Sequence, residues 1–288
     1  MTISHFLAHT LLVQKNRFAS KNQKWRNGMQ GIYKAAQGMI YETMRIDIIA
    51  NNLANADANG YKGSALQVTS TFDAELTQVL EEKMNVKPPS NISQNSELLV
   101  ARYNIDFQQG PLKETNEIYD VGIAGRGFFG IQNVDGSTVF TRDGSFTTND
   151  QGQLVNGQGL FVLDQSGQPI RIPNGVSELT IGADGRMFAD DVEFSQLMLI
   201  DFEQNDPYPL GKVGGNLFEI NDPNAQPIPL KATRGVSTIK QGFLESANVN
   251  VVHEMVNMIQ TLRNFQGYQK TIQALDETVQ LINDTAKQ

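Results

Sequence analysis

From Gln30 to Leu53 apolar side chains recur at every seventh position, Ile32, Met39, Ile46 and Leu53, with Ala35, Ala36, Ile49 and Ala50 beside them. That spacing predicts an amphipathic helix with a heptad-like seam. Asn59-Gly60 tolerates left-handed backbone, so the helix is expected to stop between Asn55 and Gly60, and Asp73 to Lys83 to extend or restart it. A longer helical pattern runs from Val251 to the end through Val252, Met255, Ile259 and Leu262, then Phe265, Tyr268, Ile272, Leu275, Val279 and Ile282. Its phase slips near Gln266-Gly267, and Asn248 or Asn250 is placed to cap its start.

Between these helices, residues 105–243 carry short β-type runs broken at Asp135-Gly136, Asp143-Gly144, Asn156-Gly157 and Asp184-Gly185. Such regular punctuation predicts antiparallel strands. The expected fold class is α+β: a central, mainly antiparallel β domain flanked by N- and C-terminal amphipathic helices that pair as a coiled-coil-like layer. A helical domain is expected from 29–83 with 244–288, a flexible connection over 84–104 around Pro88-Pro89-Ser90-Asn91, and the β domain over 105–243. A lone helix cannot bury such a seam, so the helices are expected to pair with each other or with neighbouring subunits.

Residues 1–28 stand apart. Lys15, Arg17, Lys21, Lys24 and Arg26 face no acid there, so the net charge of −8 for the whole chain leaves −13 for the rest. The segment has the look of a transit peptide. A simpler reading is that Met29 is the natural start and 1–28 a translated leader, since Lys24-Trp25-Arg26 can be encoded as AAG-UGG-AGG, a purine-rich ribosome-binding sequence two codons before Met29. The acidic balance argues against nucleic-acid binding. The absence of cysteine excludes disulfides and thiolate metal sites. No apolar run approaches the ~18 residues of a membrane helix, and Phe6 to Val13, broken by His9 and Thr10, makes a poor secretory signal.

Candidate chemistry is sparse. Gly125-Arg126-Gly127-Phe128-Phe129-Gly130 matches the G-x-G-x-x-G of dinucleotide sites, which requires a strand before it and a helix after it. Asp120 to Ala124 suits the strand, but Phe128 to Gln132, a turn at Asn133 to Gly136, and Ser137 to Thr141 read as a hairpin. The glycines are then expected at tight β corners, and a dinucleotide-dependent oxidoreductase is the lesser reading. Of His5, His9 and His253, the last lies at a helix opening without a ligand cluster and is expected at a surface or interface. Asp190-Asp191 with Glu193 lacks the alternation of a calcium loop and reads as solvated. Arg142-Asp143 reads as a strand entering a turn, and no nucleophile with a base emerges. No cofactor and no catalytic or metal residue is expected. A free adhesin or binding module built on the β domain is a further reading.

Several stretches together resemble a known family. Asn51-Asn52-Leu53-Ala54-Asn55-Ala56 followed by Gly60-Tyr61-Lys62 is similar to the N-terminal signature of bacterial flagellar rod and hook proteins. "DVGIAGRGFFGI", "FTRDGSF", "GQLVNGQGLFVLDQSGQPI" and "QGFLESANVNVVHEMVNMIQTLRNFQGYQKTIQALDE" follow in family order, so the resemblance spans Gln30 to Glu277. Arg126, Ala247 and Asp190-Asp191 depart from its pattern.

The resemblance implies a structural subunit of the basal-body rod, in the periplasm-spanning part of the flagellum. "RNFQGYQKTIQALDE" resembles the C-terminal helix of the proximal-rod type more closely than that of the distal-rod type, which remains the alternative. Implied partners are other rod and hook–basal-body proteins, further copies of itself, and the flagellar type III export apparatus, with no cleaved signal peptide, no nucleic acid and no membrane insertion. The residues expected at the assembly interface are Ile32, Met39, Ile46, Leu53, Val252, Met255, Ile259, Leu262, Ile272 and Leu275. Asn51, Asn52, Asn55, Gly60, Tyr61, Lys62, Gly125 and Gly127 carry the family motifs and turns.

Overall fold

The computed structural model describes residues 34–69, 100–202, 208–222, 225–230 and 237–286. The basic leader, Ile32 and the helix expected over 73–83 lie outside them. The described chain divides into two compact units, one holding 34–50, 66–69, 100–102 and 255–286, the other 51–65 and the described parts of 103–254.

The first unit's helical pair is formed by residues 34–50 of helix α1 (34–54) and 255–286 of helix α2 (Val251–Ala286). Gly38 leaves room for the ring of Tyr268, and Asn264 Nδ2 donates to Glu42 Oε1 at 3.1 Å. On α1 the fully buried line runs through Ala35, Gly38, Glu42 and Ile49, while Met39 and Ile46 beside it are half-buried. α2 starts where Asn250 Oδ1 accepts from His253 N at 3.0 Å, a side-chain cap for an orphan helical donor. It continues unbroken through the phase slip at Gln266-Gly267.

The second unit is mostly antiparallel sheet. Its strands, the first two of which cross into the first unit, are β1 (Ser64–Thr69), β2 (Val100–Ile105), β3 (Leu112–Glu114), β4 (Val121–Gly125), β5 (Phe128–Gln132), β6 (Thr138–Thr141), β7 (Thr147–Thr148), β8 (Leu154–Val155), β9 (Phe161–Val162), β10 (Leu179–Ile181), β11 (Arg186–Ala189), β12 (Val192–Gln196), β13 (Leu199–Asp201), β14 (Leu210–Gly214), β15 (Leu217–Ile220), β16 (Ile228–Pro229), β17 (Ser237–Gln241) and β18 (Phe243–Glu245). The connection expected over 84–104 therefore ends in strand: its last residues belong to β2, which pairs with β1. The largest sheet runs β14-β15-β6-β5-β9-β8-β7, and β10-β11-β12, β4-β17 and β3-β18 form smaller ones.

Five hairpins close with one recurring loop. At Asn133, Asn149, Asn156, Asp164 and Gly182 the backbone N–H of residue i donates to the carbonyl of i+4, and a glycine N–H at i+3 donates back to the carbonyl of i. This is a tight turn followed by a left-handed residue, so glycine is demanded at 136, 152, 159, 167 and 185, where φ lies between 73 and 85°. The signals at Asp135-Gly136 and Asp184-Gly185 fall on these glycines. Asn156-Gly157 is displaced, because the left-handed position is Gly159 and Asn156 instead accepts from the N–H of Gln158 and Leu160. Asp143-Gly144 is no hairpin: Gly144 is small because a Cβ would collide with Val121 O.

β5 seeds both cores of this unit. Successive strand residues face opposite ways, so Phe129 packs edge-on to Phe146 in an aliphatic cluster with Val121, Ile123 and Ile131. Phe128 enters an aromatic cluster with Phe140, Phe202 and Phe218. The G-x-G-x-x-G stretch thus leads from strand β4 into strand β5, with no helix start to hold a phosphate. Gly125 and Gly127 take φ of 115 and 112° at the corner where the chain leaves the β4-β17 pair for the larger sheet.

Candidate functional site

α1 ends in the motif segment Asn51 to Lys62. Asn55 N–H continues the helical pattern to Asn51 O at 3.2 Å, its side-chain Nδ2 donates to the same carbonyl at 2.8 Å, and Gly60 then turns the chain with φ of 65°. A Cβ at Gly60 would strike the backbone of Arg142 and Asp143, so only glycine fits this close passage. The Asn52 side chain mimics a strand neighbour. Its Oδ1 accepts from Ser64 N and its Nδ2 donates to Ser64 O, both at 2.9 Å. The Tyr61 hydroxyl lies 3.0 Å from Asn51 Oδ1 and 3.1 Å from Asn52 Oδ1, sharing its proton between them. Burial, with Glu254 nearby, raises the pKa of that phenol.

Lys62 then runs inward. Its Nζ meets Glu245 Oε1 and Gln108 O, each at 2.6 Å. Glu245 Oε1 also accepts from Gly110 N at 2.9 Å, and its Oε2 from Arg142 Nη1 at 3.0 Å. Arg142 Nη2 closes the circuit on Gly125 O at 2.8 Å, and its guanidinium lies 5.3 Å from the centroid of the Phe128 ring. All three charged side chains are almost wholly buried. Burial lowers the pKa of Lys62 and of Arg142, and the Glu245 carboxylate opposes both shifts. Two cations share one anion, so Glu245 is the pivot.

The surrounding backbone repeats this convergence. Gly60 N donates to Glu245 O at 2.7 Å and Ser246 N to Pro111 O at 2.9 Å. Asn248 Oδ1 accepts from Gly63 N at 2.7 Å, while its Nδ2 donates to Asp106 O at 2.8 Å and Gln108 O at 3.1 Å. The chain leaving α1 and the chain entering α2 are thereby clasped to the β framework within one unit. Of the motif residues, Asn51, Asn52, Asn55, Gly60, Tyr61, Lys62 and Gly125 gather here, whereas Gly127 serves the β4–β5 corner. Sequence reasoning missed Arg142, Glu245 and Asn248 as parts of one assembly, although each sits in a quoted motif.

The apolar residues expected on α2 fall into two groups. Val252, Met255, Ile259 and Leu262 are 72, 49, 54 and 42% exposed, and Val256, which the spacing passed over, joins them at 57%. Ile272 and Leu275 are half-buried, as is Leu53 of α1. His253 is exposed, and among the described residues no group of three or more His, Asp or Glu is placed to hold a metal. Also among them, no helix is long and apolar enough to cross a membrane.

Comparison with known proteins matches three stretches. Residues 32–62 match the family described as flagella basal body rod protein, 122–189 the flagellar hook protein FlgE/F/G D1 domain, and 240–285 the flagellar basal body rod FlgEFG protein C-terminal region. The chain is 32% identical over 251 residues to the flagellar basal-body rod protein FlgG of Buchnera aphidicola subsp. Acyrthosiphon pisum, covering 83% of this chain and 93% of that protein. It belongs to the flagellar basal-body rod protein family.

Other rod proteins are similar over comparable lengths. The FlgF of Caulobacter vibrioides is 35% identical over 225 residues, 78% of this chain and 84% of its own. The FlgG of Bacillus subtilis is 30% identical over 259 residues, 86% and 96% respectively. This rod protein is thus a structural component of the flagellar basal body, similar to both the FlgF and the FlgG types. The clasp draws on all three matched stretches. The N-terminal match ends on Lys62, the middle match holds Gly125 and Arg142, and the C-terminal match opens just before Glu245.

Proposed function

We propose that this chain is a FlgF-like subunit of the proximal rod, built into the axial structure through its terminal helices. The observation that carries this reading is the exposed apolar line Val252, Met255, Val256, Ile259 and Leu262 on a 36-residue helix. Water is a poor neighbour for five such side chains, and burying them against other subunits supplies the drive for assembly. The proposed interface comprises Ile32, Met39, Ile46 and Leu53 at one end and Val252, Met255, Ile259, Leu262, Ile272 and Leu275 at the other. Contacts between unlike surfaces that do not close generate a helical stack, the symmetry a rod needs.

The reading includes the helical domain, connection and β domain with the boundaries given above, copies of itself and other axial proteins as partners, and export by the flagellar type III apparatus without a cleaved signal peptide. It includes no catalysis, cofactor, nucleic acid or membrane insertion. The acidic balance supports the exclusion of nucleic acid, and the strand that runs through Gly130 that of a dinucleotide cofactor. The FlgG-like distal reading has its own support, since alignments with FlgG relatives cover 93 to 100% of those proteins against 84 and 88% for the FlgF relatives.

Deleting the gene in its source bacterium and imaging basal bodies by electron cryotomography tests the assignment. Loss of the rod at or just beyond the export gate is the expected result. A truncated rod favours the distal type, and intact rods overturn the proposal.

A further inference from the structure

Two features of the second unit carry opposite charges that no group of the other sign meets among the described residues. The first is the turn Asp190-Asp191 between β11 and β12. Ala189 pairs with Val192, so these two residues alone make the loop, and both hold left-handed backbone with φ of 49 and 65°. Aspartate tolerates that region better than most residues, but a two-residue hairpin of this type is best served by asparagine followed by glycine. Asp190 has a local reason to be there: its carboxylate accepts from Ser177 N and Glu178 N at 3.0 to 3.4 Å. Asp191 has none. It is exposed and makes no hydrogen bond or ion pair among the described residues, where a glycine would relax the backbone. Strain kept without a local return directs attention to function.

The second feature is a cleft of about 430 Å³ whose lining is rich in amides, including Asn51, Asn55, Asn156, Gln158 and Asn216. Lys212 stands in it on β14, beside the register shift between Lys212 and Gly214. Its ammonium donates to Ser64 Oγ at 2.8 Å and lies 4.2 Å from the centroid of the Tyr61 ring. No carboxylate pairs with it among the described residues. Asp143, the only acid in the lining, is engaged by Ser145 N and Oγ. Although the residue as a whole is open to solvent, crowding by the cleft lowers its pKa to about 8. An ammonium held by a hydroxyl and a ring face, with no carboxylate beside it among the described residues, is a receptor for an anionic oxygen group.

We propose that the Lys212 cleft receives the Asp191 carboxylate of a second copy of this chain. The two surfaces are different and complementary, so the contact is head-to-tail and repeats along a stack instead of closing into a dimer. It also lies outside the helical interface proposed above and adds a register-setting contact between β units. An anion on a hairpin tip entering an amide-lined cleft gives a charge-assisted hydrogen bond at one axial offset between neighbours. The proposal rests on the self-assembly reading.

The test uses the full chain expressed in a strain lacking its own copy, with basal bodies purified and the subunit quantified in them. K212E and D191K are each expected to lower incorporation on the order of tenfold, from like charges facing each other across the contact. The K212E/D191K double variant is expected to recover most of it. D191G separates contact from folding: it is expected to melt at a higher temperature than the wild type while incorporating less. Incorporation of K212E and D191K at the wild-type level, or a double variant no better than either single one, overturns the contact alone. Failure of the wild type itself to enter basal bodies overturns the self-assembly reading, and this contact with it.

Discussion

Lys62 Nζ stands 2.6 Å from Glu245 Oε1, joining residues 183 positions apart inside a nearly solvent-free pocket. Glu245 also holds Arg142, so the three charges sum to one positive. Removing the shared anion leaves two facing buried cations, whereas removing Lys62 leaves a neutral pair. Glu245→Gln is therefore expected to cost about 3–5 kcal/mol. Lys62→Met is expected to cost about 1–3 kcal/mol, the usual effect of stranding a buried acceptor. Urea denaturation followed by a β-domain probe measures both; equal costs refute Glu245 as the pivot.

Gly60→Ala forces a Cβ into the backbone of Arg142 and Asp143 at a left-handed position. A loss of more than about 1 kcal/mol is expected, since the strain alone costs that much before the collision is counted. Gly157→Ala, which meets nothing and has ordinary backbone, is expected to change stability by less than about 0.5 kcal/mol. The same denaturation experiment ranks the two.

The recurring hairpin loops make a paired prediction. Asp164 Oδ1 accepts from Ser166 N and Gln168 N at 2.8 and 2.9 Å. Asp164→Ala is expected to lose roughly 1–2 kcal/mol, and Asp164→Asn, which keeps an acceptor in place, to lose less than half of that. Thermal melting of the two variants decides whether the side chain or only the backbone sets this turn.

Burial holds the Asp143 carboxyl above the usual carboxylate range, partly offset by its bonds from Ser145. The folded chain thus binds this proton more readily than the unfolded chain does. Its contribution to stability falls as pH rises from the free value of 3.8 through the raised one, and stays low above it. Asp143→Asn keeps the acceptor and removes the charge. It is expected to melt above the wild type at pH 7, with the difference shrinking as pH falls toward the carboxylate range. A difference independent of pH would mean the carboxylate is not the cause.

Local periodicity made much of this fold legible. The α1 end near Asn55 to Gly60, the Asn250 cap, the long C-terminal helix and the Phe128–Thr141 hairpin all follow from signals a few residues wide. The loop glycines were partly hidden because the turn places asparagine or aspartate three positions before its glycine, not next to it, as Asn156 and Gly159 demonstrate. The clasp was hidden for a different reason. Lys62, Arg142 and Glu245 are ordinary charges within their own segments, and only tertiary pairing of β18 with β3 and passage of Gly60 beside Asp143 bring them together. On α1, Glu42 and Asn52 lie buried although both are polar: Asn264 donates to one Glu42 oxygen, and Ser64 pairs with both polar atoms of Asn52.

The claim that the exposed face of α2 drives assembly is tested most directly by one substitution. Met255→Asp places a charge at an exposed position of that face. The variant, expressed in a strain lacking the wild-type gene, is expected to keep the folded β domain's circular dichroism and melting temperature, to be absent from purified basal bodies, and to leave the cells non-motile. Normal incorporation and swimming with Asp at position 255 would contradict the account.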